Sequence, residues 1–231
     1  MKRIVVLTGA GISAESGIRT FRDSGGLWEE YDIMDVATFE AWEQNRDLVM
    51  EFYNQRRKQL YEVKPNEAHY ALVDLEKDFD VRIITQNVDD LHERAGSSHV
   101  MHLHGELKKV RSTVDDSLVY DLDGWELKVG DHCEKGSQLR PHIVWFGEPV
   151  EMIPAAADLS STADIYVIIG TSLNVYPAAG LVGYVRPGTP VYLIDPGEMS
   201  VGHIPGVRVI REKAGRGTRQ LAEMLRSGKS G

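Results

Sequence analysis

Residues 6–28 read VLTGAGISAESGIRTFRDSGGLW. An apolar strand enters a turn with Gly9, Gly11 and Ala14, the G-x-G-x-x-G/A spacing of a dinucleotide-binding turn. The first glycine permits a tight bend, the second lets backbone approach a pyrophosphate, and a helix N-terminus beyond favours negative charge. The same spacing also serves where a helix simply packs on a strand. A hydride-transferring enzyme of this architecture goes on to a second strand ending in an acid that grips the ribose, about 20 residues past the glycines. Here Arg19, Phe21, Arg22, Gly25 and Gly26 follow instead. They read as a closing loop, with Arg22 placed for phosphate and Phe21 for shielding a reactive ribose carbon. Asp35, the nearest candidate acid, has no clear strand before it.

The 231-residue chain suits one large domain or one with an inserted lobe. Thirty-five acidic against 26 basic residues leave a net charge of -9, which argues against nucleic acid and anionic membranes as partners. One cysteine, Cys133, excludes an internal disulfide and fits a reducing compartment, so a cytoplasmic location is expected. No stretch approaches membrane-spanning length, and a monomer is expected.

Short β-branched runs predict parallel strands at Arg3–Thr8, Val81–Thr85, Val100–His104, Ile165–Gly170, Val191–Asp195 and Val207–Ile210. Asn66 caps a helix whose apolar face is Ala68, Leu72, Leu75 and Phe79. The alternation implies an α/β, Rossmann-like doubly wound parallel sheet with a smaller inserted lobe. Residues 1–30, 65–105 and 148–231 make the nucleotide-binding domain. The lobe takes 31–64, read as helical, and 106–147, read as polar and irregular.

Further motifs lie at strand ends, where open α/β sheets bind ligands. Gln86, Asn87 and Asp89 follow the strand ending at Thr85; Asn87 or Asp89 also suits a helix cap. His102 and His104 share a strand face, and His104, beside Gly105, is the candidate base; two histidines at this spacing also fit a metal. Gly170, Thr171 and Ser172 close another strand with small residues that admit phosphate or adenosine.

GAGISAESGIRTFR, TQNVDDLH, HLHGEL, VWFGE and GTSLNVYPAAG together resemble the sirtuins, NAD-dependent protein-lysine deacylases, from Ile4 to about Ala214. The resemblance implies that NAD is held so that its nicotinamide–ribose bond breaks, with acylated lysines of proteins as partners and nicotinamide, O-acyl-ADP-ribose and free lysine as products. It makes His104 the base and Asn87 the residue that orients the ribose. Gly9, Ala10, Gly11, Ser13, Ala14, Phe21, Arg22, Trp28, Gln86, Asn87, Asp89, Gly170, Thr171, Ser172, Asp195 and Ala214 would line the dinucleotide. Val144, Phe146, Gly147 and Val175 would border the peptide and lysine tunnel, although Val144 and Phe146 equally suit a core.

Tyr53 and Arg56 sit at i and i+3 on a predicted helix. In the sirtuin subclass that prefers acidic acyl groups, such a pair reads the distal carboxylate, with a small residue at the position of Ala14. The resemblance thus implies desuccinylase and demalonylase activity beside deacetylase activity. With Arg57 and Lys58 adjoining, the same stretch also reads as a solvated basic face.

The chain departs from the family where four cysteines usually hold a structural zinc, since Cys133 stands alone. No zinc is expected. Asp131, His132 and Cys133 then form a polar turn, and the lobe is held by Trp125, Leu127 and Val129. Asp195 stands where asparagine is common. A noncatalytic ADP-ribose-binding module and an NAD-dependent dehydrogenase are the competing readings.

Overall fold

The computed structural model describes residues 1–20, 31–198, 202 and 204–228. Six strands form one parallel sheet: β1 (Arg3–Thr8), β2 (Asp80–Thr85), β3 (Val100–His102), β7 (Ile165–Ile169), β8 (Val191–Ile194) and β9 (Arg208–Ile210). They lie in the order β3-β2-β1-β7-β8-β9. That is the doubly wound arrangement, reversing direction between β1 and β7. Alternate residues of the central strands feed two cores. Val6, Ile83, Val167 and Ile194 meet the helices α4 (Glu67–Leu75) and α7 (Ala214–Arg226) on one face. Val5, Ile84, Ile168 and Leu193 meet α6 (Ile153–Ser161) on the other. The Asn66 side chain accepts from the Ala68 amide, and His69 completes a capping box at the start of α4.

Register sets the site. Thr8 is level with Thr85 on β2 and Ile169 on β7, Thr85 with His102, and Ile169 with Ile194. Ile194 is level in turn with Ile210 on β9, so all six strands end in one row and the residues that follow them share one edge.

The stretch 31–64 is helical, as expected: α1 (Ile33–Val36), α2 (Phe39–Gln44) and α3 (Arg46–Leu60). The stretch 106–147 corrects the sequence reading, because it carries an antiparallel sheet ordered β5-β4-β6. Its strands are β4 (Gly105–Ser112), β5 (Val119–Asp121) and β6 (Leu139–Ile143). A register shift between Gly105 and Val110 breaks the two-residue alternation that would have marked β4. Of the three residues expected to hold the lobe, Leu127 is buried, but Trp125 and Val129 are 37% and 61% exposed. The lobe core is instead Trp42, Phe52, Leu107, Val110, Ile143 and Trp145 around Leu127.

Polar side chains of α3 fasten this core. Asn54 donates to the Leu127 carbonyl (2.9 Å) and accepts from its amide (2.9 Å). Arg57, fully buried rather than on a solvated face, donates to the carbonyls of Leu107 and Trp125 and to Asn54. Around Cys133 the chain makes a polar hairpin tip. The Cys133 amide donates to Ser137 O (2.9 Å), and the thiol meets Ser112 and Ser137.

Candidate active site

A cleft of about 750 Å³ lies along the carboxyl edge of the parallel sheet, facing the lobe. Gly9, Ala10, Gly11, Ala14, Gln86, Asn87, Gly170, Thr171, Ser172, Asp195 and Ala214 line its sheet side. Tyr53, Arg56, His104, Val144, Phe146, Gly147 and Val175 complete the walls. Ser13 and Asp89 instead line a smaller adjoining pocket shared with Ala10, Arg56 and Asn87. Phe21, Arg22 and Trp28 lie outside the described residues.

The glycine turn differs from the expected strand-to-helix turn. Two single-turn 3-10 helices, Ala10–Ile12 and Ala14–Ser16, follow β1. The glycines here permit backbone-to-backbone approach. Gly11 N donates to Gly170 O (2.8 Å), and a Cβ on Gly11 would stand 2.7 Å from Gly170 Cα. Gly170 itself has φ +61°, where a side chain is strained. The turns after β1 and β7 therefore interlock at the point where sheet order reverses. Gln86 bridges the same gap from β2, donating to Thr171 Oγ1 (3.0 Å).

Beneath the edge runs a buried polar chain. Asn87 donates to Ser13 Oγ (3.1 Å), which donates to Asp89 Oδ2 (3.0 Å). Asp89 Oδ1 accepts from the Leu91 amide (3.1 Å) just ahead of the short helix α5 (Leu91–Ala95), whose N-cap is Asp90, so neither Asn87 nor Asp89 is the helix cap that the sequence allowed. Burial raises the Asp89 carboxyl above its ordinary range, against the hydrogen bonds from Leu91 and Ser13.

The pKa values of the two histidines are shifted in opposite directions. His104 Nδ1 lies 3.0 Å from Gln86 O; a carbonyl only accepts, so Nδ1 carries the proton and Nε2 keeps its lone pair. Burial lowers its pKa, partly opposed by that bond, and the ring is neutral near pH 7. His102 touches the Asn87 carbonyl (3.0 Å) and Glu93 (2.8 Å). Burial lowers its pKa too, but Glu93 outweighs it and the net shift is upward. His102 thus fixes the backbone of Asn87 rather than joining a metal site. Gly105 (φ +83°) lets the chain turn at His104 and enter β4, because a Cβ there would strike the backbone of His142 and Ile143.

On the lobe wall Tyr53 and Arg56 are 4% and 8% exposed, on one face of α3. Burial raises the Tyr53 phenol to about 12 and lowers the Arg56 guanidinium to about 10, so they stand neutral and cationic at pH 7. Val144 is half-buried and Phe146 is exposed, which removes the core reading of Phe146. Sequence reasoning missed Trp145, between these two on the opposite side of the chain. It is buried, and its indole donates to the Tyr53 hydroxyl (3.1 Å). The two-residue period of VWFGE carried that signal.

A hydroxyl- and amide-rich edge (Gln86, Asn87, Thr171, Ser172) beside side-chain-free turns suits a sugar–phosphate ligand of dinucleotide size. Among the described residues no three of His, Cys, Asp and Glu converge as a metal-binding group.

A Sir2 family model matches residues 9–177. An "NAD-dependent protein deacylase" of Bacteroides thetaiotaomicron is 55% identical over 97% of this chain and 98% of that protein. The crystal structure of a Sir2 homologue–NAD complex aligns with TM-score 0.88 at 39% identity, over 99% of this chain and 91% of that one. A Sir2 variant with a deacetylated p53 peptide and 3'-O-acetyl-ADP-ribose aligns with TM-score 0.80 at 31% identity, over 97% and 93%.

Proposed function

The chain belongs to the Sir2 family of NAD-dependent protein deacylases, and from that premise we propose that it removes succinyl and malonyl as well as acetyl groups from protein lysines. The observation that carries this reading is the pairing of a buried phenol, Tyr53, with a buried guanidinium, Arg56, on one face of α3 at the cleft wall. A carboxylate attracts a cation more strongly in a buried, low-dielectric setting than in water. The planar fork takes two carboxylate oxygens and the neutral phenol adds a third hydrogen bond. An acetyl group brings no such partner. Ala14, lining the same cleft, leaves room for the longer chain.

NAD would lie along Gly9–Gly11, Gln86, Asn87, Gly170–Ser172, Asp195 and Ala214, and it supplies a ribosyl–nicotinamide bond whose cleavage opens an acceptor for the acyl oxygen. His104, neutral with its proton on Nδ1, presents Nε2 to take a proton from a ribose hydroxyl. The Asn87 amide, oriented by Ser13 on its side chain and by His102 on its carbonyl, positions that ribose. Asp89, carried on the same hydrogen-bond chain, serves the carboxamide. Phe146 and Gly147 on one side and Val175 on the other bracket an extended peptide. The lobe is held in this reading by Asn54, Arg57 and its apolar core, without zinc; stoichiometric zinc in purified protein overturns that part.

Mass spectrometry after incubation with NAD and matched acetyl- and succinyl-lysine peptides tests the whole. Nicotinamide and O-acyl-ADP-ribose are expected from both peptides. Binding of ADP-ribose without either product, or reduction of NAD without release of nicotinamide, overturns the proposal.

A further inference from the structure

The contact between Trp145 and Tyr53 goes one step deeper, and its consequence rests on the acyl-group reading of Tyr53 and Arg56. We propose that Trp145 is a positioning residue for acyl specificity: its indole N–H occupies one side of the Tyr53 oxygen and so turns the phenolic O–H toward an acidic acyl group in the cleft. A neutral phenol has one proton to donate, and its O–H prefers to lie in the ring plane, pointing to either side. The indole donor, 3.1 Å away, selects between the two orientations. Burial at both ends of this bond keeps water from competing.

The indole is itself held. The Arg140 guanidinium carbon sits 3.4 Å over the Trp145 ring centroid, and Trp42 packs at 5.7 Å. Arg140 donates to both oxygens of Glu148 (2.7 and 3.0 Å). Glu148 accepts from the Trp145 backbone amide (2.8 Å) and also pairs with Arg111 (3.3 Å). One ion pair therefore fixes both the main chain and the ring face of the residue that orients Tyr53. An indole free to rotate would leave the phenol as ready to accept as to donate, and an acceptor facing a carboxylate repels it.

The test is the ratio of kcat/KM for succinyl- over acetyl-lysine peptide in Trp145→Phe, and in protein carrying benzothienylalanine at position 145, which keeps the ring and deletes only the N–H. The ratio is expected to fall roughly five- to tenfold in both, through KM for the succinyl peptide rather than kcat, less than the roughly 10- to 150-fold of a deleted charge-assisted hydrogen bond because the phenol keeps its proton. In a Tyr53→Phe background, Trp145→Phe is expected to change the ratio no further. An unchanged ratio with the benzothienyl residue, or a further fall in the Tyr53→Phe background, overturns the proposal. If Tyr53→Phe alone lowers the ratio, the acyl-group reading stands whatever Trp145 does; if Tyr53→Phe leaves it unchanged, both fail.

Discussion

The two walls of the cleft are built by different physics. On the sheet wall, strand ends in register present mostly small or neutral groups, Asp195 apart, and the decisive contacts are backbone against backbone, as between Gly11 and Gly170. On the lobe wall charged and buried groups dominate: Arg56 on α3 lines the cleft, and behind the lining lie Arg57 on α3 and Arg140 on β6, the latter paired with Glu148. A wall made of main chain fixes position and allows little variation. A wall made of desolvated side chains is set by which charges face which, and a single substitution can retune it. In the proposed reading the common chemistry sits on the first wall and the choice of acyl group on the second.

The largest expected effect tests the base at the junction of the walls. His104→Ala should lower kcat on order of 1,000-fold with either acyl peptide, the usual worth of a positioned general base. The wild-type acid limb adds a signed check: the His104 pKa is depressed and in the proposed role its unprotonated form is the active one, so the midpoint of the acid limb of kcat/KM should lie below the ordinary 6.5. An acid limb above 6.5 would contradict a neutral, buried imidazole.

Next comes the sheet wall alone. Gly11→Ala forces a Cβ to within 2.7 Å of Gly170 Cα, so ADP-ribose affinity by calorimetry should fall at least tenfold. Gly183→Ala, with open space around it, is the matched control. Equal affinities in the two variants would remove the interlock from the account. Arg57→Met probes the lobe wall. It strands the carbonyls of Leu107 and Trp125, and urea unfolding should show a loss of about 3 kcal/mol. A loss under about 1 kcal/mol would mean that the lobe does not depend on that buried cation.

This contrast also explains what the sequence disclosed. The sheet wall was legible because buried parallel strands are continuous β-branched runs, as in Ile165–Ile169, and because Asn66 announces its helix by capping it. The row of strand ends then followed from the fold class. The lobe wall was hidden because residue type there misstates burial: Arg57 and Asn54 are inside, while Trp125 and Val129 face solvent. β4 escaped notice through its register shift, and Trp145 through its place between two residues read for the tunnel. Tyr53 and Arg56 were singled out by resemblance alone, since their spacing equally suits an exposed basic helix; the structure shows only that both are buried at the cleft.

The acyl-group assignment is tested most directly by the ratio of kcat/KM for succinyl- over acetyl-lysine peptide in Arg56→Met. Loss of a buried, bidentate carboxylate partner predicts a fall in that ratio on order of 100-fold relative to wild type. A ratio equal to that of the wild type, with both activities intact or both reduced alike, would contradict it.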